Sequence, residues 1–109
     1  MKQKEEYPVD LNDTIKYFNN LDKEGQSSVL EGLKETKTKF LDILSQKDRE
    51  LEVTFFKMQM NLAAEARHQH MHEGPSASWV YASFTESLCF LFIAKEYDLA
   101  LSFLEEGSY

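Results

Sequence analysis

The stretch LCFLFIA, Leu88–Ala94, carries apolar side chains at seven consecutive positions. On a helix, which turns by about 100° per residue, such a run is apolar on every side of the axis. A helix of this kind is normally enclosed by other elements. The run is also far shorter than the roughly 18 residues that a bilayer-spanning helix needs. The stretch therefore predicts an enclosed helix, and it indicates no membrane role.

The overall composition favours helices packed as one domain. Of the 109 residues, 42% are hydrophobic and 13% are aromatic, which is too many for a disordered chain. The chain has only 4 glycines and 2 prolines, and an all-β fold needs more of both for its turns. We expect an all-α fold, with a flexible N-terminal lead-in at residues 1–9 and a single helical domain at residues 10–109.

Apolar spacing divides the chain into a short N-terminal helix, a long central helix and a C-terminal part. The short helix begins near Asp10, and Asn19 and Asn20 mark its end, followed by a turn at Gly25. Residues 26–73 contain no proline, so one continuous helix there would be roughly 70 Å long. Ser45 and Asp48 have the spacing of a capping box, which would instead restart the helix in a new direction. Both arrangements of the central segment stay open.

The C-terminal part follows Gly74 and Pro75, with Ser76 or Ser78 as the helix cap. It forms either one helix or a helix pair. Its apolar residues fall at a regular spacing, with a turn at Lys95–Asp98: Phe84, Leu91, Tyr97, Ala100 and Leu104. This spacing resembles that of one tetratricopeptide helix pair, a resemblance that implies a protein-binding helical scaffold. Such repeats are stable in arrays, and no second copy of the pattern occurs in this sequence.

The central segment is apolar on two opposite sides when it is placed on a helix. A three-helix monomer cannot cover both sides, because each of its helices keeps one side toward water. We therefore expect an antiparallel bundle that is completed by homodimerisation. The first stripe is Leu51, Phe55, Met58 and Leu62, and the second stripe is Val53, Phe56, Met60 and Ala63. The expected dimer interface comprises Val53, Phe56, Met60, Trp79, Phe90 and Phe92.

All three histidines lie in the stretch HQHMHEGP at residues 68–75. His68 and His72 share one side of a helix, and Glu65 precedes His68 at the Glu-x-x-His spacing, which resembles one quarter of the di-iron site in ferritin-like bundles. These three residues are the candidate metal ligands. The favoured alternative is that histidines in a last helical turn complement the negative end of the helix dipole. We expect no cofactor.

The sequence contains none of the patterns that commonly indicate an active site. It has no glycine-rich phosphate loop, no Ser-His-Asp candidate and no Cys-x-x-Cys. The single cysteine, Cys89, has the apolar neighbours Leu88 and Phe90, which predict a buried thiol in a reducing, cytoplasmic setting. We expect no catalytic residues and no enzymatic activity.

The charge distribution argues against nucleic acid as a partner. The formal net charge is −7, and residues 65–109 hold seven acidic residues against one arginine and one lysine. That half of the chain would repel a phosphate backbone.

Three hypotheses of function remain. The first is a non-enzymatic protein–protein interaction module, an adaptor or regulatory protein that binds itself or another protein. The second is a small acidic inhibitor or accessory protein, phage-like in its brevity and charge, that occupies a basic site on a target. The third is a metal-binding helical protein that uses His68 and His72.

Overall fold

The computed structural model describes residues 11–69 and 76–106, which contain five α-helices and no strand. The all-α class is therefore confirmed for these residues. The predicted lead-in at residues 1–9 lies outside them. The helices are α1 (Leu11–Asn20), α2 (Lys23–Ser45), α3 (Arg49–Gln69), α4 (Ala77–Ile93) and α5 (Tyr97–Glu106).

Helix α4 is the centre of the fold, because all four other helices pack against it. Its contact with α3 is the most extensive. Within the apolar stretch, Leu88, Cys89, Leu91 and Phe92 are fully buried, and Phe90 is half-buried. One chain thus encloses most of the helix that the sequence predicts to be apolar on every side.

The long central segment is broken into two helices, so the continuous rod of roughly 70 Å is not formed. The principal extents of the molecule are 38 × 28 × 24 Å. The break lies where the sequence allowed it, but the capping residue differs from the prediction. The Asp48 carboxylate accepts a hydrogen bond from the Leu51 amide at 3.2 Å, whereas the Ser45 hydroxyl donates to the Asp42 carbonyl. Asp48 therefore caps α3, and Ser45 ends α2.

Helix α2 begins before the predicted position, with Asp22 as its cap. The Asp22 carboxylate accepts a hydrogen bond from the Gly25 amide at 2.7 Å. Gly25 therefore lies inside the first turn of α2 instead of marking a loop. The Gln26 side-chain amide donates to the Phe18 carbonyl at 3.1 Å, which joins the start of α2 to the end of α1.

The C-terminal part forms a helix pair, α4 and α5, joined by a short turn. Ser76 caps α4 by accepting a hydrogen bond from the Trp79 amide at 3.3 Å, as the sequence predicts. At the other end, the Glu96 amide donates to the Leu91 carbonyl at 2.8 Å, and Lys95 has a positive φ of 66°. This is the left-handed closure that commonly terminates helices, and it turns α5 back against α4.

Aromatic rings join α2, α3 and α4 in the core. Phe56 and Phe92 stack with ring centroids 4.7 Å apart and planes 17° apart. Phe40 meets both rings edge-on, at 4.9 Å from Phe56 and 5.8 Å from Phe92. Both Phe56 and Phe92 are 0% exposed within the single chain. The expectation that these two rings need a second copy to cover them is therefore wrong, because five helices supply more neighbours than the three assumed.

Candidate functional site

Helix α3 turns its two apolar stripes toward different surroundings. In the second stripe, Phe56 and Ala63 are buried against α4, and Met60 packs against the core. In the first stripe, Met58 and Leu62 are each 54% exposed, more than any other large apolar side chain among the described residues. The uncovered part of the first stripe is therefore Met58 and Leu62, whereas Phe55 is half-buried and meets the Phe40 ring edge-on at 5.8 Å.

A groove runs beside the first stripe, between α3 and α4, with a volume of about 350 Å³. We name it the α3–α4 groove. Small side chains line most of it, so its floor lies close to the two helix backbones. Its lining residues are Gln59, Leu62, Ala63 and Ala66 from α3, and Ser78, Tyr81, Ala82 and Thr85 from α4.

Tyr81 forms the wall of the groove that faces α2. Its ring lies over Gly32, where an added Cβ would be 2.8 Å from Cε1 of the ring. Its hydroxyl shares a hydrogen bond with the Thr36 hydroxyl. Only a residue without a side chain leaves room for this packing, so Gly32 and Thr36 together fix the wall.

A buried hydroxyl is left without a partner in the groove lining. Thr85 is 7% exposed, and its Oγ1 atom has no hydrogen-bond partner among the described residues. Buried hydroxyls are usually paired, because desolvation without a hydrogen bond costs about 1–3 kcal/mol.

An ion pair joins the two helices that form the groove. The Arg67 guanidinium donates from Nε to the Glu86 carboxylate at 2.7 Å, and the Glu86 side chain is almost fully buried. A buried carboxylate holds its cation in place, because separating the pair would leave an uncompensated charge. The ion pair therefore fixes α3 against α4.

The other residues of the expected interface are partly accessible. Val53, Met60, Trp79 and Phe90 are half-buried. Trp79 also meets the Tyr17 ring of α1 edge-on at 5.2 Å. Contact of these four residues with a second copy stays a prediction.

The candidate metal ligands are only partly within the described residues. Glu65 and His68 are both exposed on α3, and His68 lies in its last turn, where the dipole interpretation places it. His72 lies outside the described residues. Among residues 11–69 and 76–106, no three histidine, cysteine or acidic side chains form a metal-binding group. Metal binding that involves His72 stays a prediction.

Cys89 is a core residue of α4. Its side chain is fully buried, and burial, with a smaller contribution from the nearby Glu86 charge, raises the pKa of its thiol to about 12. The thiolate form is therefore strongly disfavoured, and it is the thiolate that acts as a nucleophile.

None of the helices in the described part of the chain combines the length and the apolar character needed to cross a bilayer. No protein-family model, curated protein or solved structure matches this chain. The inference of function therefore rests on the surface itself.

Helical periodicity did not reveal the groove, but two other features of the sequence indicate it. Ala63, Ala66 and Ala82 are small residues, and small residues permit close approach. Gly32 in the middle of α2 costs about 1 kcal/mol relative to alanine, which indicates a packing role.

Proposed function

We propose that this chain is a non-enzymatic protein–protein interaction module whose working surface is the first stripe together with the α3–α4 groove. The observation that carries the proposal is the exposure of Met58 and Leu62 beside a groove of small residues. Burying apolar surface against a partner contributes about 25 cal/mol per Å². The surface is therefore suited to association.

The shape of the surface favours an α-helix as the binding element. Two packed helices lie about 8–10 Å apart, and the distance depends on side-chain size at the contact. Ala63, Ala66 and Ala82 let a helix approach closely, while Leu62 supplies a large contact at the rim. This is the mode in which a helix lays its apolar side into a groove.

The groove is held in shape before anything binds. The Tyr81 hydroxyl is tied to Thr36, and the Arg67–Glu86 ion pair joins α3 to α4. A preformed site loses less side-chain freedom on binding, so more of the contact energy contributes to affinity.

Site-specific photo-cross-linking in cells that naturally make the chain tests this proposal. A photo-cross-linking amino acid replaces Leu62 in one variant and Leu99, which is exposed on α5, in the control variant. We expect a discrete covalent protein product from position 62 and none from position 99. Absence of a product at position 62, or the same products from both positions, would contradict the proposal.

A second candidate function is an acidic protein that occupies a basic site on a target. The outer side of α5 favours it, because Asp98 and Glu105 are both exposed beside Ser102. Binding by charge is weakened strongly by salt, whereas apolar association tolerates it. A partner complex that dissociates between low and high salt, and that survives replacement of Leu62, would favour this second function.

A further inference from the structure

We infer that α5 is a detachable cover of α4. It opens as one unit about the turn at Lys95, and hydrogen bonds of the Tyr97 hydroxyl act as a latch that sets how often it opens. Opening uncovers an apolar side of α4. The inference goes beyond the proposed function, because α5 contributes no residue to the lining of the α3–α4 groove.

Helix α5 covers α4 with an apolar inner side and carries acidic groups on its outer side. Ala100 is 0% exposed, and the ring of Phe103 lies 5.0 Å from the ring of Phe84 on α4. Asp98 and Glu105 are exposed on the outer side. Phe84 is itself 0% exposed, so the inner side of α5 helps to shield it from water.

The rest of the bundle has a core that does not depend on α5. The rings of Phe40, Phe56 and Phe92 meet one another and join α2, α3 and α4. Helix α5 is the last described helix of the chain, and it packs mainly against α4 and α2. Its departure therefore breaks its own contacts and leaves those among the first four helices in place. Such units open at a lower free energy than the whole domain.

The length of α5 makes its opening a single event. The helix has 10 residues, and isolated helices shorter than about 12–15 residues are marginal in water. Once α5 loses α4 it also loses its helical structure, so packing and helix are lost together. The pivot is the turn at Lys95, where the Glu96 amide donates to the Leu91 carbonyl at 2.8 Å.

The latch joins the first residue of α5 to the start of α3. The Tyr97 hydroxyl donates to the Glu52 carboxylate at 2.9 Å and accepts a hydrogen bond from the Arg49 guanidinium at 2.9 Å. Glu52 and Arg49 also pair with each other at 3.3 Å, and that pair can persist when α5 leaves. The two bonds of the hydroxyl exist only in the closed form. They therefore favour closure, and bonds to charged groups are among the stronger ones.

Amide hydrogen exchange followed by NMR tests the inference on the full chain. The slowest amides of α4 report unfolding of the whole domain, whereas amides of residues 100–104 report the opening of α5. We expect residues 100–104 to share one protection factor, because they become exposed in the same event. That factor should be at least roughly tenfold below the protection of the slowest α4 amides.

Two tyrosine variants form a matched pair, because each removes one hydroxyl that bonds between helices. Tyr97→Phe should lower the protection of α5 roughly tenfold, and that of α4 by the same factor, because opening and global unfolding both break the latch. Tyr81→Phe removes the bond to Thr36, which stays formed when α5 opens. It should lower the protection of α4 by roughly fivefold and leave that of α5 unchanged.

Four results would overturn the inference. The first is equal protection of α5 and the slowest α4 amides in the unchanged chain, and the second is an equal loss in both helices with Tyr81→Phe. Either would mean that α5 opens only with the whole domain. The third is protection that falls steadily from residue 100 to residue 104, which would show fraying from the end. The fourth is unchanged protection of α5 in Tyr97→Phe, which would show that the hydroxyl is not a latch.

Discussion

The ring of Tyr81 crosses α2 directly over Gly32, so that a methyl group at this glycine would lie 2.8 Å from Cε1 and 3.0 Å from Cδ1 of the ring. The absence of a side chain in the middle of a 23-residue helix thereby sets the position of one wall of the α3–α4 groove.

Gly32→Ala should destabilise the protein even though alanine is the better helix former. Overpacking costs about 1–3 kcal/mol, and the gain in helix propensity is about 1 kcal/mol. In the Tyr81→Ala background the obstruction is gone, so the same change should stabilise the protein by up to about 1 kcal/mol. Urea unfolding of the four chains measures both effects. If Gly32→Ala changed the stability in the same direction in both backgrounds, the Tyr81 ring would not be the cause of the destabilisation.

Arg49 ties the start of α3 to the end of α4. Its guanidinium donates to the Phe92 carbonyl at 3.2 Å, the Ile93 carbonyl at 2.6 Å and the Tyr97 hydroxyl at 2.9 Å, and it pairs with the Glu52 carboxylate at 3.3 Å. Arg49→Met should lower the free energy of unfolding by about 3 kcal/mol, because it leaves a buried carboxylate without its cation.

The paired change separates the charge from the packing of the arginine. Arg49→Met combined with Glu52→Met leaves no unpaired carboxylate, so the double variant should be more stable than Arg49→Met alone. Chemical denaturation of four chains, the unchanged one, the two single variants and the double variant, provides the comparison. If the losses from the two single changes simply add, the ion pair does not couple the two residues.

Two lysines adopt left-handed backbone conformations at the helix ends. Lys47 has a φ of 53° and Lys95 a φ of 66°. A residue with a Cβ is strained there by roughly 1 kcal/mol, and glycine is not. Lys47→Gly and Lys95→Gly should therefore each stabilise the protein by about 0.5–1 kcal/mol. Gln46→Gly is the control, because Gln46 has a φ of −79° and glycine there should only destabilise. Thermal unfolding measures all three, and a loss of stability in both lysine variants would contradict the assignment.

The buried thiol of Cys89 predicts a stability that depends on pH. Its pKa is about 12 in the folded chain and 9.0 in its ordinary state, so only the unfolded chain ionises between these values. The neutral, buried thiol therefore contributes to the free energy of unfolding. Its contribution is fully present below pH 9 and falls by about 1.4 kcal/mol for each pH unit above pH 9. Cys89→Ala lacks it, so the stability difference between the two chains should shrink by that amount between about pH 8 and about pH 10. A difference that is constant with pH, or rapid labelling of the native thiol, would show that Cys89 is not buried.

Much of the architecture follows from local pattern. The apolar stretch in α4 requires neighbours on every side, and Ser76 caps α4 as predicted, whereas the break between α2 and α3 is capped by Asp48 and not by Ser45. The ends of α2 and α4 were harder to place. They close through Lys47 and Lys95, and neither lysine carries the signal that a glycine would have given.

The candidate site was harder to predict than the fold. Helical periodicity identified both stripes of α3, but it could not say which one faces the core. That choice depends on Phe56 meeting Phe40 and Phe92, which are distant in the sequence. The groove likewise depends on the approach of Tyr81 to Gly32, which joins two helices. Pattern along one helix contains no information about such contacts.

The claim that the first stripe is the working surface can be tested most directly at two methionines of α3. Met58 and Met60 are two residues apart and therefore point to nearly opposite sides of the helix, Met58 outward in the first stripe and Met60 against the core. Carbon-13 labelling of the methionine methyl groups gives each residue its own NMR signal. Spectra are then recorded for the chain alone and with increasing amounts of the protein that position 62 captures in the cross-linking experiment. The Met58 signal should shift as this partner is added while the Met60 signal stays fixed. A shift of Met60 with Met58 unchanged would place the interface on the second stripe, and no shift in either would show that the partner does not bind through α3.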